Sequence, residues 1–330
     1  MYKIIIGVDV SKDVLDIAYF YENGTKYLMQ VPNTYDGILT FLKTIKKLTS
    51  LKTYKAWLVC FENTGIYSDL LLSTLIALGI ACVEEHAMKI KAFSTLQRGK
   101  RDDWDAVRIC EYAVTYQSKL TLSRKPDETI AKLKHLFNYR STLVNKKVDL
   151  SNCIDEKAEV IKGIIIDHLK DINDNIIATI SSKIKEIEKL MLDIVKSVVV
   201  LRTNYNLVTS VIGIGPIIGL AVLIKTENFE KFKDSKKFAS QIGIAPFPHQ
   251  SGKSYRNPRI SKRGDMEIKA LITNGVQAAK IHDPQITNYY VRLSAENKKP
   301  YVINNNIKNK LIHRIFAVVR RGTPYVKLVA

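Results

Sequence analysis

The stretch MYKIIIGVDVSKDVLDIAYF, residues 1–20, decides how the first third of this chain is read. Tyr2–Val10 is an apolar run rich in β-branched residues, and Val14–Phe20 is a second one. Side chains branched at Cβ pack well on a pleated surface and lose rotamer freedom in a helix, so both runs read as strands. Thr25–Val31 makes a third strand, with Gly24 marking the hairpin turn before it. Beyond them, Tyr35–Leu48 carries Ile38, Leu39, Phe41, Leu42, Ile45 and Leu48 at helical spacing. Tyr54–Phe61 reads as a strand, Ile66–Leu78 as a helix and Ile80–Glu84 as a short strand. Met88–Leu96 and Asp105–Tyr116 read as helices. Three hairpin-like strands followed by strand–helix–strand units predict a mixed sheet flanked by helices, an α/β domain over residues 1–125.

Four acids in this domain stand at element ends. Asp9 closes the first strand, where Val8 and Val10 point to the opposite face. Glu62 closes AWLVCFE and is followed by Asn63, Thr64 and Gly65. Asp102 and Asp105 in KRDDWDAVRI are spaced i,i+3, which puts both carboxylates on one helix face. Sites in open sheets gather at the carboxyl ends of strands, where Asp9 and Glu62 fall. Converging carboxylates repel by about 4 kcal/mol per close pair at an effective dielectric of about 20, so a cation has to hold them together. Oxygen-only ligation without His or Cys selects Mg²⁺ or Mn²⁺. Two such ions about 4 Å apart stabilise the attacking and leaving oxygens of phosphodiester chemistry. Asp13 and Asp103 share neither the face nor the position of the other acids and read as surface charges or caps.

Pro126 ends that block. Leu136, Leu143 and Leu150 then recur every seven residues, and Ile180, Ile184, Ile187, Met191, Ile194 and Val198 step by four and three. Residues 126–202 are expected to form two long amphipathic helices in an antiparallel or intermolecular coiled coil, with a plain helical bundle as the alternative. Arg140 and Lys147 interrupt the apolar stripe of the first helix, which would let that face meet a polyanion.

The 330 residues allow about two domains, perhaps three by the usual domain length, and 46% hydrophobic content excludes a disordered chain. Charge is the informative number. Of the net +19, residues 1–120 hold +2, residues 121–200 hold +2 and residues 201–330 hold +15. A basic segment attached to a near-neutral one implies a polyanionic partner, nucleic acid or an anionic membrane surface. Cys60, Cys82, Cys110 and Cys153 form no CxxC pair, which argues against a zinc site or disulfide framework and for a reducing compartment. The N-terminus has too short an apolar run for a signal peptide. Leu207–Ile224 is uncharged but interrupted by Gly213, Gly215, Pro216 and Gly219, so two buried helices joined by a turn explain it better than a membrane span.

In the basic third, Val211–Leu223 reads as helix, Gly213-Ile214-Gly215 turn, helix, a helix–hairpin–helix-like pattern whose backbone N–H groups can meet a phosphate. Helix packing explains such glycines about as well. Around Pro246–Pro258 we expect strand-free loops, in which Ser251 and Gly252 are followed by Lys253, Arg256, Arg259, Lys262 and Arg263 with Tyr255 interleaved. That is a footprint for phosphate backbone. A serine hydroxyl is a poor nucleophile without a base or metal, and the residues alone do not separate Ser251 from Ser254 or Ser261 as ordinary turn residues. GVDVSKDVLDIAYF also looks like the first phosphate strand of actin-like sugar kinases, but the further phosphate and adenosine motifs of those enzymes are not visible. The Gly213/Gly215/Gly219 cluster has the wrong spacing for a dinucleotide fingerprint.

Taken in order, Asp9 in GVDVSKD, Glu62 in FENTG, Asp102 and Asp105 in KRDDWDA, then VIGIGP, FASQIGIAP and QSGKSYRNPRISKRGD resemble the DEDD transposases of the insertion-sequence-110 family. The resemblance runs from about residue 3 to 300 and extends to the Piv-type DNA invertases. It implies an α/β ribonuclease H-like (RuvC-like) domain over residues 1–125, a helical coiled coil over 126–202 and a mainly α-helical C-terminal transposase domain over 203–330. It implies a DNA recombinase guided by a noncoding bridge RNA, acting on donor and target double-stranded DNA in the prokaryotic cytoplasm beside the nucleoid. Asp9, Glu62, Asp102 and Asp105 correspond to its metal-binding tetrad, and Ser251 to a serine that attacks a DNA phosphate. The family's site is composite, with tetrad and serine from different protomers of a dimer or tetramer. Asp265 stands where the family usually has SKRGN and Glu267 follows, so weaker local positive charge is expected there. A metal-dependent nuclease using water and a non-catalytic assembly protein are the competing readings.

Overall fold

The computed structural model describes residues 2–20, 26–49, 53–93, 102–124, 127–160, 164–251, 254–260 and 264–327. The side chains of 26, 102–104, 155–160, 164–165, 247–251 and 254–259 lie outside the description. The chain divides into two compact units, Met1–Lys125 and Pro126–Ala330.

The first unit is a five-stranded sheet. Its strands are β1 (Ile4–Val10), β2 (Val14–Phe20), β3 (Lys26–Pro32), β4 (Trp57–Glu62) and β5 (Ala81–Glu85), in the order β3-β2-β1-β4-β5. β1, β2 and β3 pair antiparallel as hairpins, while β1, β4 and β5 run parallel. The helices are α1 (Tyr35–Thr49), α2 (Ile66–Ala77), α3 (Ala87–Phe93) and α4 (Asp102–Tyr116). Order and directions fit the ribonuclease H-like domain implied above. Alternation sorts β1 cleanly: Ile4, Ile6, Val8 and Val10 join the core with α1 and α2, and Ile5 joins the opposite core with α4. α4 begins at Asp102, three residues before the expected start, so the i,i+3 acid pair is helical from its first member.

Gly7 explains how close α4 lies. A Cβ there would stand 2.3 Å from the Ala106 carbonyl oxygen and 2.4 Å from the Cys110 nitrogen. β1 and α4 therefore touch backbone to backbone, which only glycine permits.

The second unit is helical: α5 (Glu128–Val160), α6 (Ile164–Ser197), α7 (Val199–Thr209), α8 (Pro216–Lys225), α9 (Ser235–Gln241), α10 (Met266–His282), α11 (Pro284–Ala295) and α12 (Pro300–Arg321). α5 and α6 pack on each other, and Phe137, Met191 and Val195 carry their seam into a core shared with α7 through α12. Arg140 does not face outward. Its Nε donates to Glu188 Oε1 on α6 at 2.7 Å, so it serves the helix pair rather than a polyanion.

The expectation of strand-free loops around Pro246–Pro258 is corrected here. β6 (Pro246–Ser251) and β7 (Ser254–Ile260) form an antiparallel ribbon with an irregularity between Phe247 and His249. A two-stranded ribbon has an unpaired edge on both strands, and that is where proline is tolerated within a sheet. Among the described residues, no helix is long and apolar enough to cross a membrane.

Candidate active site

Asp9 stands one residue before the end of β1 and Glu62 is the last residue of β4. The strands are parallel neighbours with Val8 opposite Phe61, so the next step brings Asp9 and Glu62 level on one face. That face is the one α4 covers, because Ile5, Leu58 and Cys60 pack there with Ala106, Ile109 and Cys110.

The direction of α4 follows from two contacts. The Cys110 thiol donates to the Ile5 carbonyl at 3.1 Å, while Ala106 lies over Gly7. Passing from Cys110 to Ala106 moves along β1 toward Asp9, and the next turn back holds Asp105 and Asp102. The first turn of α4 thus points toward the carboxyl ends of β1 and β4, and its positive dipole end favours carboxylates. Asp105 Oδ1 accepts from Arg108 Nη1 at 2.7 Å, which balances its charge within the helix. The side chain of Asp102 lies outside the described residues. Among the described residues, no three His, Cys, Asp or Glu side chains are drawn together as a finished metal cluster.

Sequence reasoning passed over two further acids on this face. Asp16 of β2 pairs directly opposite Asp9, and its Oδ1 accepts from Gln30 Nε2 at 2.7 Å. Glu85 of β5 pairs opposite Glu62 and is 8% exposed. Its carboxylate accepts from the Tyr112 hydroxyl at 3.0 Å and the His86 backbone N–H at 2.9 Å, and it pairs with Lys89 Nζ at 2.9 Å. The four strands β2, β1, β4 and β5 therefore present Asp16, Asp9, Glu62 and Glu85 in a row. The alternation within VLDIAYF, with Asp16 in phase with Ala18, was the signal that would have placed the first of them. Burial, then the hydrogen bond to Glu85, raises the Tyr112 phenol above its ordinary range. Burial, then Glu85 and Cys110, pushes the Cys60 thiol up to about 12. Without a metal beside it, the Cys60 thiol beneath the acids keeps its proton at ordinary pH.

The serine lies in the second unit. Ser251 pairs with Ser254 as the last pair of the ribbon, and Gly252 and Lys253 stand between them in the sequence. Those two residues, with Lys262 and Arg263, lie outside the described residues, as do the side chains of Ser251, Arg256 and Arg259. The ribbon is rooted firmly. Asn305 Nδ2 of α12 donates to the Ile244 carbonyl at 2.9 Å, and the Asp265 N–H donates to Gln241 O at 3.3 Å. Asp265 also caps α10 by accepting from the Ile268 N–H, and it pairs with Lys225 at 2.7 Å. Glu267 accepts from the Ser141 hydroxyl and lies 3.5 Å from Lys225. Lys225 thus offsets the charge of Asp265 and lies within reach of Glu267, the two acids that the sequence set against the basic segment.

Between α7 and α8, Gly213 has φ +93° and a Cβ there would stand 2.5 Å from the Gly275 carbonyl oxygen of α10. Close packing accounts for this glycine. Gly215, the N-cap of α8, faces open space instead.

Residues 6–160 match the IS110 DEDD family, described as "Transposase", and residues 205–291 match the "Transposase IS116/IS110/IS902 family". The chain is 23% identical over 335 residues to the pilin gene-inverting protein of Moraxella bovis, covering 100% of this chain and 99% of that one. It is 27% identical over 116 residues, 34% of each chain, to a probable family 20 transposase of Pseudomonas aeruginosa. Among solved structures, Thermus thermophilus RuvC matches with a TM-score of 0.27 at 11% identity, over 36% of this chain and 99% of that one.

Proposed function

This chain belongs to the IS110 family of transposases, enzymes that cleave and rejoin DNA, and on that premise we propose that it exchanges DNA strands through a covalent bond between Ser251 and a DNA phosphate. The reading rests above all on Asp9 and Glu62 standing level on the face toward which the first turn of α4 points. Asp9, Glu62, Asp102 and Asp105 would hold a divalent cation, Mg²⁺ or Mn²⁺. The donor set fits such an ion, since it consists of carboxylate oxygens alone. Once bound, the ion stabilises charge on the phosphate oxygens and eases loss of the hydroxyl proton.

The chain's own contribution is nucleophile and grip. Ser251 Oγ bonds to phosphorus as the bond from phosphorus to a deoxyribose oxygen breaks. The serine proton leaves and the freed deoxyribose oxygen gains one, so a phosphoester is kept for rejoining. Gly252, Lys253, Arg256, Arg259, Lys262 and Arg263 follow the serine closely enough in the chain to hold the flanking phosphates. The open N-terminus of α8 at Gly215 can receive another, with Gly213 shaping the turn.

The finer features come from the family resemblance: guidance by a noncoding bridge RNA, duplex donor and target, and a composite site completed by another protomer of a dimer or tetramer. The α5–α6 pair supports assembly as a coiled coil, since Tyr139, Val148, Ile172 and Ile176 remain exposed along it. Residues 126–202 and 203–330 are then assembly and transposase parts of one compact unit, working in a prokaryotic cytoplasm near the nucleoid.

The test is Ser251→Ala on nicked donor DNA. Loss of a protease-sensitive protein–DNA adduct is expected. An adduct that persists removes the serine assignment, whereas cleavage by a wild-type protein that forms no adduct favours a water-using nuclease. RNA co-purifying with the wild-type protein, carrying loops complementary to donor and target, is expected under the guided reading.

A further inference from the structure

Some cations on and beside α10, α11 and α12 are held by carboxylates and others by aromatic rings. Arg314 of α12 pairs with Asp283, and Lys225 of α8, packed beside α10, pairs with Asp265. Lys280, Arg292 and Lys310 are held differently, over aromatic rings. Lys280 Nζ lies 4.6 Å from the Tyr290 ring centre, Lys310 Nζ lies 4.4 Å from that of Tyr289, and the Arg292 guanidinium lies 5.6 Å from the same Tyr289 ring. Among the described residues, none of the three has a carboxylate partner.

The difference matters for charge. A ring face attracts a cation through its quadrupole and fixes its position without cancelling its charge, whereas a carboxylate cancels it. Adjacent residues of α11 carry the two rings, Tyr289 turned to α12 and Tyr290 to α10. Three uncancelled, positioned cations therefore lie on α11 and on the two helices packed beside it. From Met266 onward the chain holds eleven Lys and Arg against three acids, and of those acids Asp283 and Glu267 already face Arg314 and Lys225. Burial, and then Lys269 of α10, holds the Lys308 ammonium of α12 below its ordinary range.

We infer that Lys280, Arg292 and Lys310 form a second DNA-contacting surface, apart in sequence from the Ser251 ribbon, that binds the phosphate backbone of a DNA duplex. The faces of Tyr289 and Tyr290 are occupied by cations and both rings pack on the core, so these two rings offer no platform for base stacking, the main grip on single strands. Cations fixed on three packed helices match a duplex, whose phosphates are themselves fixed, better than a flexible strand. This surface deepens the proposed recombinase function, but its readout is binding without cleavage. Failure of the serine mechanism would therefore leave it standing.

The test uses the full chain and a 30-base-pair duplex of arbitrary sequence, chosen for length alone. Binding is followed across a salt series for wild type and for the combined Lys280→Gln, Arg292→Gln, Lys310→Gln variant. Each lost phosphate contact makes the plot of log K against log salt shallower by about 0.9, so a change of about 2.7 is expected. An unchanged slope overturns the inference. So does a slope change seen with a single-stranded RNA oligomer and absent with the duplex. Lys310→Gln alone, expected to change the slope by about 0.9, carries the test if the triple variant does not fold. Tyr289→Leu keeps the charges and is expected to lower duplex affinity several-fold at unchanged slope, and full affinity in that variant would refute the positioning role of the ring.

Discussion

The Tyr112 hydroxyl donates to Glu85 Oε2 at 3.0 Å, tying the helix that carries Asp102 and Asp105 to the strand beside Glu62. Through this bond the height of α4 over the sheet depends on a polar contact as well as on apolar packing. Tyr112→Phe leaves one oxygen of a nearly buried carboxylate short of a donor, a loss of about 1–3 kcal/mol. Urea denaturation should show that loss. A higher Mg²⁺ concentration for half-maximal strand cleavage is also expected, and unchanged metal dependence would confine the bond to a structural role.

Gly7→Ala forces a Cβ into the backbone of α4, where the nearest atoms are the Ala106 carbonyl and the Cys110 amide. Neither can rotate away. We expect a loss of about 1–3 kcal/mol, typical of overpacking, and a larger fall in activity than in stability because α4 has to lift. Gly215→Ala meets open space and should stay within about 0.5 kcal/mol of wild type in the same melt.

Asp9→Asn, which keeps the size of the side chain and removes its charge, should abolish recombination while preserving the fold. Mg²⁺ binding to the native state raises the melting temperature of wild type by mass action. In Asp9→Asn that rise should vanish, and an equal rise in both proteins would move the metal site elsewhere.

Alkaline stability should track the buried thiol. Cys60 ordinarily titrates near 9.0 and is pushed up to about 12 in the folded chain. The folded state holds its proton to higher pH than the unfolded state does, so this contribution is whole below pH 9 and is lost as pH climbs toward 12. Cys60→Ala should flatten the fall in stability over that window. A thiol reagent should meanwhile label Cys153 alone of the four cysteines until denaturant is added, since Cys60, Cys82 and Cys110 are buried.

Asp283 is 1% exposed, pairs with Arg314 and caps α11 through the Gln285 and Ile286 amides. Asp283→Ala strands a guanidinium that is itself largely buried, at a cost of about 3–5 kcal/mol. Thermal melts should show a large drop. A drop under about 1 kcal/mol would mean that Gln285 Oε1, which accepts from Arg314 Nη2 at 2.9 Å, and the Tyr325 ring, 4.9 Å from the guanidinium, suffice as its partners.

The elements of the first unit were legible from local pattern, because alternation and helical spacing report which face of a segment is buried. Val14–Phe20 is a strand with the expected bounds, and β5 and α1 lie within one residue of theirs. The positions of Asp9 and Glu62 at strand ends were legible for the same reason. Other features depended on partners far away in sequence. Arg140 read as an interruption of an apolar stripe until Glu188, 48 residues on, stood across from it. Prolines at 246, 248 and 258 read as loop, yet a ribbon with exposed edges accepts them. Asp265 read as a loss of positive charge, and Lys225 takes up that charge before any ligand could meet it.

By itself the sequence determined the kinds of element, the acids available to a metal and the basic excess of the last third, all of which are local or additive properties. Tertiary structure decided which acids share a face, how near α4 comes to β1 through Gly7, and which cations keep their charge. Those outcomes depend on register and on contacts across the fold, where one residue's slip along a strand would turn Asp9 to the opposite face.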